Sequence, residues 1–229
     1  MRMTPVPQRP VALWPLPLSV AVLFTVAAHL ALWLSIRDGW IEACVPYVEG
    51  CTSISRAARH GLGNHVFRLM VLPCAALVGL HWWLAARWLG RGAAVVAWMG
   101  AAAAMALALY AAFLGTEGEA YRFLRRYGVV CFFGFGYLAQ LVFLARLRAG
   151  GQGGAPVCAM LAVALLMLAL GLANVATGAL VDDGRLKDRI ENVLEWHLGW
   201  LLAAWYLLHA WLWRRLGVAL AFAPAPPRR

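Results

Sequence analysis

The stretch Val157–Leu180, VCAMLAVALLMLALGLANVATGAL, decides the fold class. It carries no charged residue, and it exceeds the roughly 20 mostly apolar residues that a membrane-crossing helix needs. Five other stretches satisfy the same requirement: Leu16–Ile36, Val66–Trp88, Ala93–Gly115, Tyr127–Leu147 and Asn192–Trp213. The chain of 229 residues is 63% hydrophobic and 13% charged. A soluble domain is about half apolar and about a quarter charged, so a soluble fold of this size could not hide so much apolar surface. The same figures exclude intrinsic disorder, which needs low hydrophobicity. Long apolar runs, rather than ten-residue alternations, exclude an outer-membrane barrel. The sequence therefore predicts an all-α protein: a single transmembrane domain over 1–229, built as an integral membrane six-helix bundle. Residues 214–229 read as a basic, disordered tail. The first span follows Arg2 and Arg9, as a signal peptide would. Its apolar run is too long for one and no small-residue cleavage site follows, so it reads as a retained helix.

Six spans put both termini on one side. That side receives ten basic residues (Arg2, Arg9, Arg87, Arg91, Arg146, Arg148, Arg214, Arg215, Arg228 and Arg229) and no acid. The other side receives ten basic and all ten acidic residues, so the net charge of +10 divides as +10 and 0. Counting Lys and Arg alone gives a tie, and the positive-inside rule does not decide. The acid-free face is more compact, with its arginines close to helix ends, which places both termini in the cytoplasm. The basic excess thus fits membrane topology rather than nucleic acid, and no nucleic-acid partner is expected. Nineteen arginines against the single Lys187, with abundant Ala, Gly and Pro, suggest a GC-rich genome and a bacterial inner membrane. A eukaryotic endomembrane or plasma membrane is the alternative.

Trp33, Trp40, Trp82, Trp83, Trp88, Trp196, Trp211 and Trp213 fall where the spans should meet water, the place indole rings prefer. Gly134, Gly136 and Ala101–Ala104 read as positions of close helix approach. Cys44 and Cys51 share one polar loop on the non-cytoplasmic side, where a disulfide could persist; spacing alone leaves disulfide and free thiols both open.

The polar residues that could carry chemistry gather in the non-cytoplasmic loops. The first loop supplies Arg56, Arg59, His60 and His65, with Arg68 just inside the second helix. The fifth leads through Asp182, Asp183, Asp188 and Asn192 to Glu195 and His197. A charge at membrane depth costs about 2.5–3.5 kcal/mol on insertion scales, so Arg68 and Glu195 call for partners or a wet cavity. Glu191, Asn192, Glu195 and Gly199 step by three and four and share one helix face. Glu195 is accordingly expected to face inward and pair with Arg68 or His65, either as a functional group or as a structural ion pair. His60, His65, Asp182, Asp183 and His197 include metal-ligand types but no ligand spacing, so no metal is assigned. His29 with His197, and His81 with His209, match in depth as two bis-His haem sites would. His197 and His209 are a rotation of about 120° apart, and no cofactor is assigned.

The segments Pro46-Tyr47-Val48, the Ser53/Ser55 region, Tyr127-Gly128 through Gly136-Tyr137, Gln140 and Glu195-Trp196 resemble the family of damage-regulated autophagy modulators and Golgi proteins that remodel GPI-anchor lipids. The resemblance implies six helices, cytoplasmic termini, a large first outer loop and lipid-linked activity. It transfers no catalytic residues, and a bacterial source would lack GPI anchors.

The expected function is an outer-leaflet polar site that engages membrane lipid head groups, in lipid remodelling or distribution. Arg56, Arg59 and Arg68 would meet phosphate, and Asn192, Glu195 and His197 would complete the pocket. A catalytic version would use His60 or His65 as base, with Glu195 as the carboxylate. The alternatives are a non-catalytic membrane scaffold and a haem electron carrier.

Overall fold

Apolar runs without internal water must satisfy their own backbone groups, and helices do so within the segment. A computed structural model, describing residues 10–221, forms six long helices accordingly. They are α1 (Pro15–Arg37), α4 (Gly61–Leu89), α5 (Ala94–Phe113), α6 (Glu119–Ala149), α7 (Ala155–Leu180) and α8 (Gly184–Arg215). Two single-turn helices, α2 (Pro46–Glu49) and α3 (Ile54–Ala57), lie in the first loop. Strands β1 (Val11–Ala12) and β2 (Ala219–Leu220) pair antiparallel and tie the two ends of the described chain together. Five helices, α1, α4, α5, α6 and α7, are long and apolar enough to cross a membrane.

The helices outrun the apolar spans that reveal them. The sixth begins at Gly184, two turns before Asn192, because the Asp183 carboxylate accepts from the amides of Arg185 and Leu186. Helix α4 begins at Gly61, so Asn64 and His65 are helical rather than in the loop. The expected disordered tail also shrinks: Arg214 and Arg215 close α8, and Val218 carries the chain into β2. Residues 222–229 of that tail, with Arg2 and Arg9, lie outside the described residues.

The six helices form a ring in the order α6, α5, α4, α1, α8, α7. Short connections join α4 to α5, α5 to α6, α6 to α7 and α7 to α8, and the seam between α6 and α7 is the weakest contact of the ring. Small residues set the closest approaches. Gly100 lies against Trp82, where an added Cβ would come within 2.1 Å of the Trp82 Cβ. Gly128 lies 3.1 Å from the Ala106 carbonyl by the same measure. Gly134, expected at a close contact, instead faces open space.

Tryptophan divides into two roles, which corrects the interfacial assignment. Trp33, Trp40, Trp83 and Trp211 are exposed near helix ends. Arg37, Arg87 and Arg214 lie over the rings of Trp33, Trp83 and Trp14 at 5.4, 5.1 and 5.4 Å, a stacking that suits a cation beside an indole face. Trp82, Trp196 and Trp213 are fully buried. Trp82 and Trp213 join His81, Phe143, Tyr206 and His209 in an aromatic core that fills the half of the ring nearest the β-ribbon.

Candidate functional site

The first loop closes the opposite end of the ring, and its backbone is held by three helices, α8, α1 and α4. A disulfide joins Cys44 to Cys51, with 6.6 Å between their Cα atoms. Within it, Gly50 ends α2 at φ 61°, a left-handed position that glycine adopts freely. Any Cβ there would meet the Arg189 carbonyl of α8 at 2.1 Å. Helix α8 presents successive donors to this loop. Arg189 Nε donates to the Glu49 carbonyl at 2.9 Å, Asn192 Nδ2 to that of Gly50 at 2.8 Å, and Trp196 Nε1 to that of Thr52 at 2.8 Å. From α1, Ser35 Oγ donates to the Ala57 carbonyl at 2.6 Å. From α4, Asn64 Nδ2 donates to Ala58 at 2.9 Å and to Leu114 at the end of α5 at 3.0 Å. Buried carbonyls left unpaired would each cost about 1–3 kcal/mol, so these side chains fix where the loop can sit.

Glu195 faces inward, as its helix face predicts, but its partner is neither Arg68 nor His65. Its Oε1 accepts from the Ser55 amide at 3.4 Å, at the first turn of α3. Ser53 caps the same turn by accepting from the Arg56 amide at 3.1 Å. The ion pairs among the described residues are Arg37–Asp38 and Arg56–Asp188, at 2.7 and 3.1 Å. A free helix amide answers a carboxylate without the desolvation of a second charge, which explains why no arginine is needed.

Beneath the loop lies an apolar cavity of about 80 Å³, walled by Phe24, Phe67, Val71, Leu107, Tyr110 and Phe132. Glu195, His29, Tyr47 and Trp196 form its loop-side end. His29 Nδ1 sits 2.7 Å from the Thr25 carbonyl, which can only accept, so Nδ1 carries the proton. In the neutral ring Nε2 is then the bare nitrogen and accepts from the Tyr47 hydroxyl at 2.9 Å. Burial pushes the Tyr47 phenol above its ordinary value of 10. Tyr47 also touches Trp196 and His197 edge-on, at 5.2 and 5.6 Å between ring centres.

On the other side of α3, open to solvent, is a polar recess of about 390 Å³. Glu49, Arg56, Arg185, Asp188, Arg189 and Asn192 line it. Three guanidinium groups against two carboxylates leave it one positive charge.

The predicted residues therefore divide. Arg56, Asn192 and Glu195 converge at the junction of α3 and α8. His197 is exposed one turn beyond Val193, whose carbonyl accepts from its Nδ1 at 2.9 Å. His60 precedes the first turn of α4 without a side-chain capping bond and stacks on Trp40 at 4.9 Å, away from the recess. Arg59 and His65 are exposed and Arg68 is half-buried on α4, and none of the three lines the recess or the cavity. Sequence reasoning missed Ser35 and Arg189, and it noted Asn64 and Arg185 as polar loop residues without giving either a role, so the four are Ser35, Asn64, Arg185 and Arg189. The first two are polar residues at helix ends that had no visible partner in the sequence. The other two lay in what read as a loop and proved to be the first turns of α8.

The paired depth of His81 and His209 is real. Their rings meet edge to face at 4.4 Å, too close for a porphyrin between them. Their four ring nitrogens have no hydrogen-bond partner among the described residues. No protein-family model, curated protein or solved structure matches this chain.

Proposed function

We propose that this chain is a six-span membrane protein that holds the phosphate of a membrane lipid head group at its disulfide-bearing end. The polar recess carries the proposal. Arg56, Arg185 and Arg189 surround it with a small excess of positive charge, and guanidinium groups match phosphate oxygens. Of the expected phosphate contacts, only Arg56 belongs to this recess, and Arg185 and Arg189 replace Arg59 and Arg68. Pairing of β1 with β2 brings the two ends of the described residues together, which supports an even number of crossings. Beside the five apolar helices, α8 is the remaining long helix and is proposed as the sixth crossing. A disulfide persists in an oxidising compartment, which supports cytoplasmic termini and a recess facing outward. The lipid-linked activity that the Glu195-Trp196 and Pro46-Tyr47-Val48 segments imply by resemblance agrees with this reading.

Native mass spectrometry of the protein purified in mild detergent tests it. A phospholipid retained by the wild type and lost from the Arg56→Ala/Arg185→Ala variant is the expected result. A protein that carries no lipid, or a variant that retains it undiminished, would overturn the proposal.

A further inference from the structure

The weak seam of the ring has a defined shape. Helix α7 buries Pro156, Val157, Met160, Ala164 and Met167, and no residue beyond Met167. Tyr137 of α6 donates to the Ala164 carbonyl at 3.1 Å, pinning the two helices together at mid-length. Beyond that point α7 leans on α8, where Lys187 donates to the Gly178 carbonyl at 3.0 Å. The outer halves of α6 and α7 thus diverge into a V.

The V encloses an almost wholly apolar groove of about 260 Å³, lined by Phe133, Tyr137, Met167, Leu172 and Leu198 among others. Two glycines, Gly134 and Gly171, face it from opposite sides, and a Cβ added at either would touch nothing within 4 Å. They keep the groove wide instead of drawing the helices together. Phe133 lines both this groove and the central cavity, so one ring stands between them.

We propose that the α6–α7 seam is a lateral portal through which an acyl chain of a bilayer lipid reaches the central cavity past Phe133. The occupant follows from place and chemistry. Between two spanning helices the surrounding medium is hydrocarbon, and a hydrocarbon chain leaves no polar group unpaired in an apolar groove. The cavity is small, so it takes the end of the chain while the groove holds the rest. This inference rests on the reading that the long helices cross a bilayer, and not on the phosphate recess.

The test uses the full-length protein in phosphatidylcholine nanodiscs with a trace of phosphatidylcholine bearing a diazirine on one acyl chain. After irradiation, labelled peptides are mapped by mass spectrometry. Leu69 and Trp98, 74% and 73% exposed on the outside of the bundle, serve as bilayer references. Wild-type protein should be labelled at the references, in the groove and at the cavity residues Phe132 and Val71. Gly134→Leu/Gly171→Leu should lose the cavity labelling and keep the reference labelling. Phe133→Ala should increase cavity labelling, and this variant decides the matter if the leucine variant does not fold. Wild-type labelling confined to the outside and the groove would overturn the portal. So would cavity labelling unchanged in folded leucine variants, or no increase in Phe133→Ala. Unlabelled references would overturn the membrane-spanning reading itself, and the portal with it.

Discussion

Replacing Cys44 and Cys51 by serine should loosen the whole loop-side end of the bundle. The two cysteines are seven residues apart, so the bridge closes a loop of eight residues. In the chain-entropy treatment, closing a loop of that size removes about 2.5 kcal/mol of freedom from the unfolded chain. The bridge brackets Glu49 and Gly50, whose carbonyls accept from Arg189 and Asn192, and abuts Thr52, which accepts from Trp196. Losing the bridge therefore lowers global stability and also frees the segment that closes the cavity. Unfolding by SDS in mixed micelles, followed by tryptophan fluorescence, measures the first effect. Hydrogen exchange of residues 46–57 measures the second, with residues 160–167 as an internal standard. The expected result is a loss of about 2.5 kcal/mol, with exchange accelerated more in the loop than at residues 160–167. A loss below about 0.5 kcal/mol, the range of an ordinary surface substitution, would refute the reasoning. Unchanged loop exchange would do the same.

Trp196→Phe keeps an aromatic ring but leaves the Thr52 carbonyl without its donor, and should cost about 1–3 kcal/mol in a thermal-unfolding assay. Gly100→Ala places a Cβ 2.1 Å from that of Trp82 and should destabilise by about 1–3 kcal/mol, whereas Gly134→Ala, which meets nothing, should be neutral or mildly stabilising; equal melting temperatures for the two would contradict the packing described. His209→Phe removes two ring nitrogens that have no partner among the described residues, so it should leave stability unchanged or raise it. A loss of several kcal/mol in that variant would show that the ring is bonded. Tyr47 titrates above 10 in the folded protein, so its neutral form is favoured by folding. Its contribution is complete below pH 10 and is lost as pH rises through the higher folded value. Alkaline unfolding of Tyr47→Phe should lack this component, and identical alkaline profiles for variant and wild type would contradict it.

The positions of the apolar helices, though not their ends, were legible in the sequence because hydropathy is a property of each segment alone. Val157–Leu180 and the four spans that became α1, α4, α5 and α6 needed no knowledge of neighbours to be read as helices of membrane-crossing length. The inward face of Glu195 was also legible, since Asn192, Glu195 and Gly199 repeat with the helical period and all three meet the loop or the cavity. Sequence could not separate Trp82, Trp196 and Trp213 from Trp33 and Trp83. Lipid and protein interior are both apolar, so a spanning helix need not alternate polar and apolar faces to mark which side is core. Nor could it find the partner of Glu195. That partner is a backbone amide 140 positions away, exposed by a single helical turn that no periodicity announces. Tertiary structure alone decided that Arg185 and Arg189 share a recess with Arg56, that α6 and α7 part beyond Ala164, and that Phe133 stands between two voids. Each of these depends on which helices become neighbours, and in a bundle held by close packing the small residues and side-chain shapes make that choice.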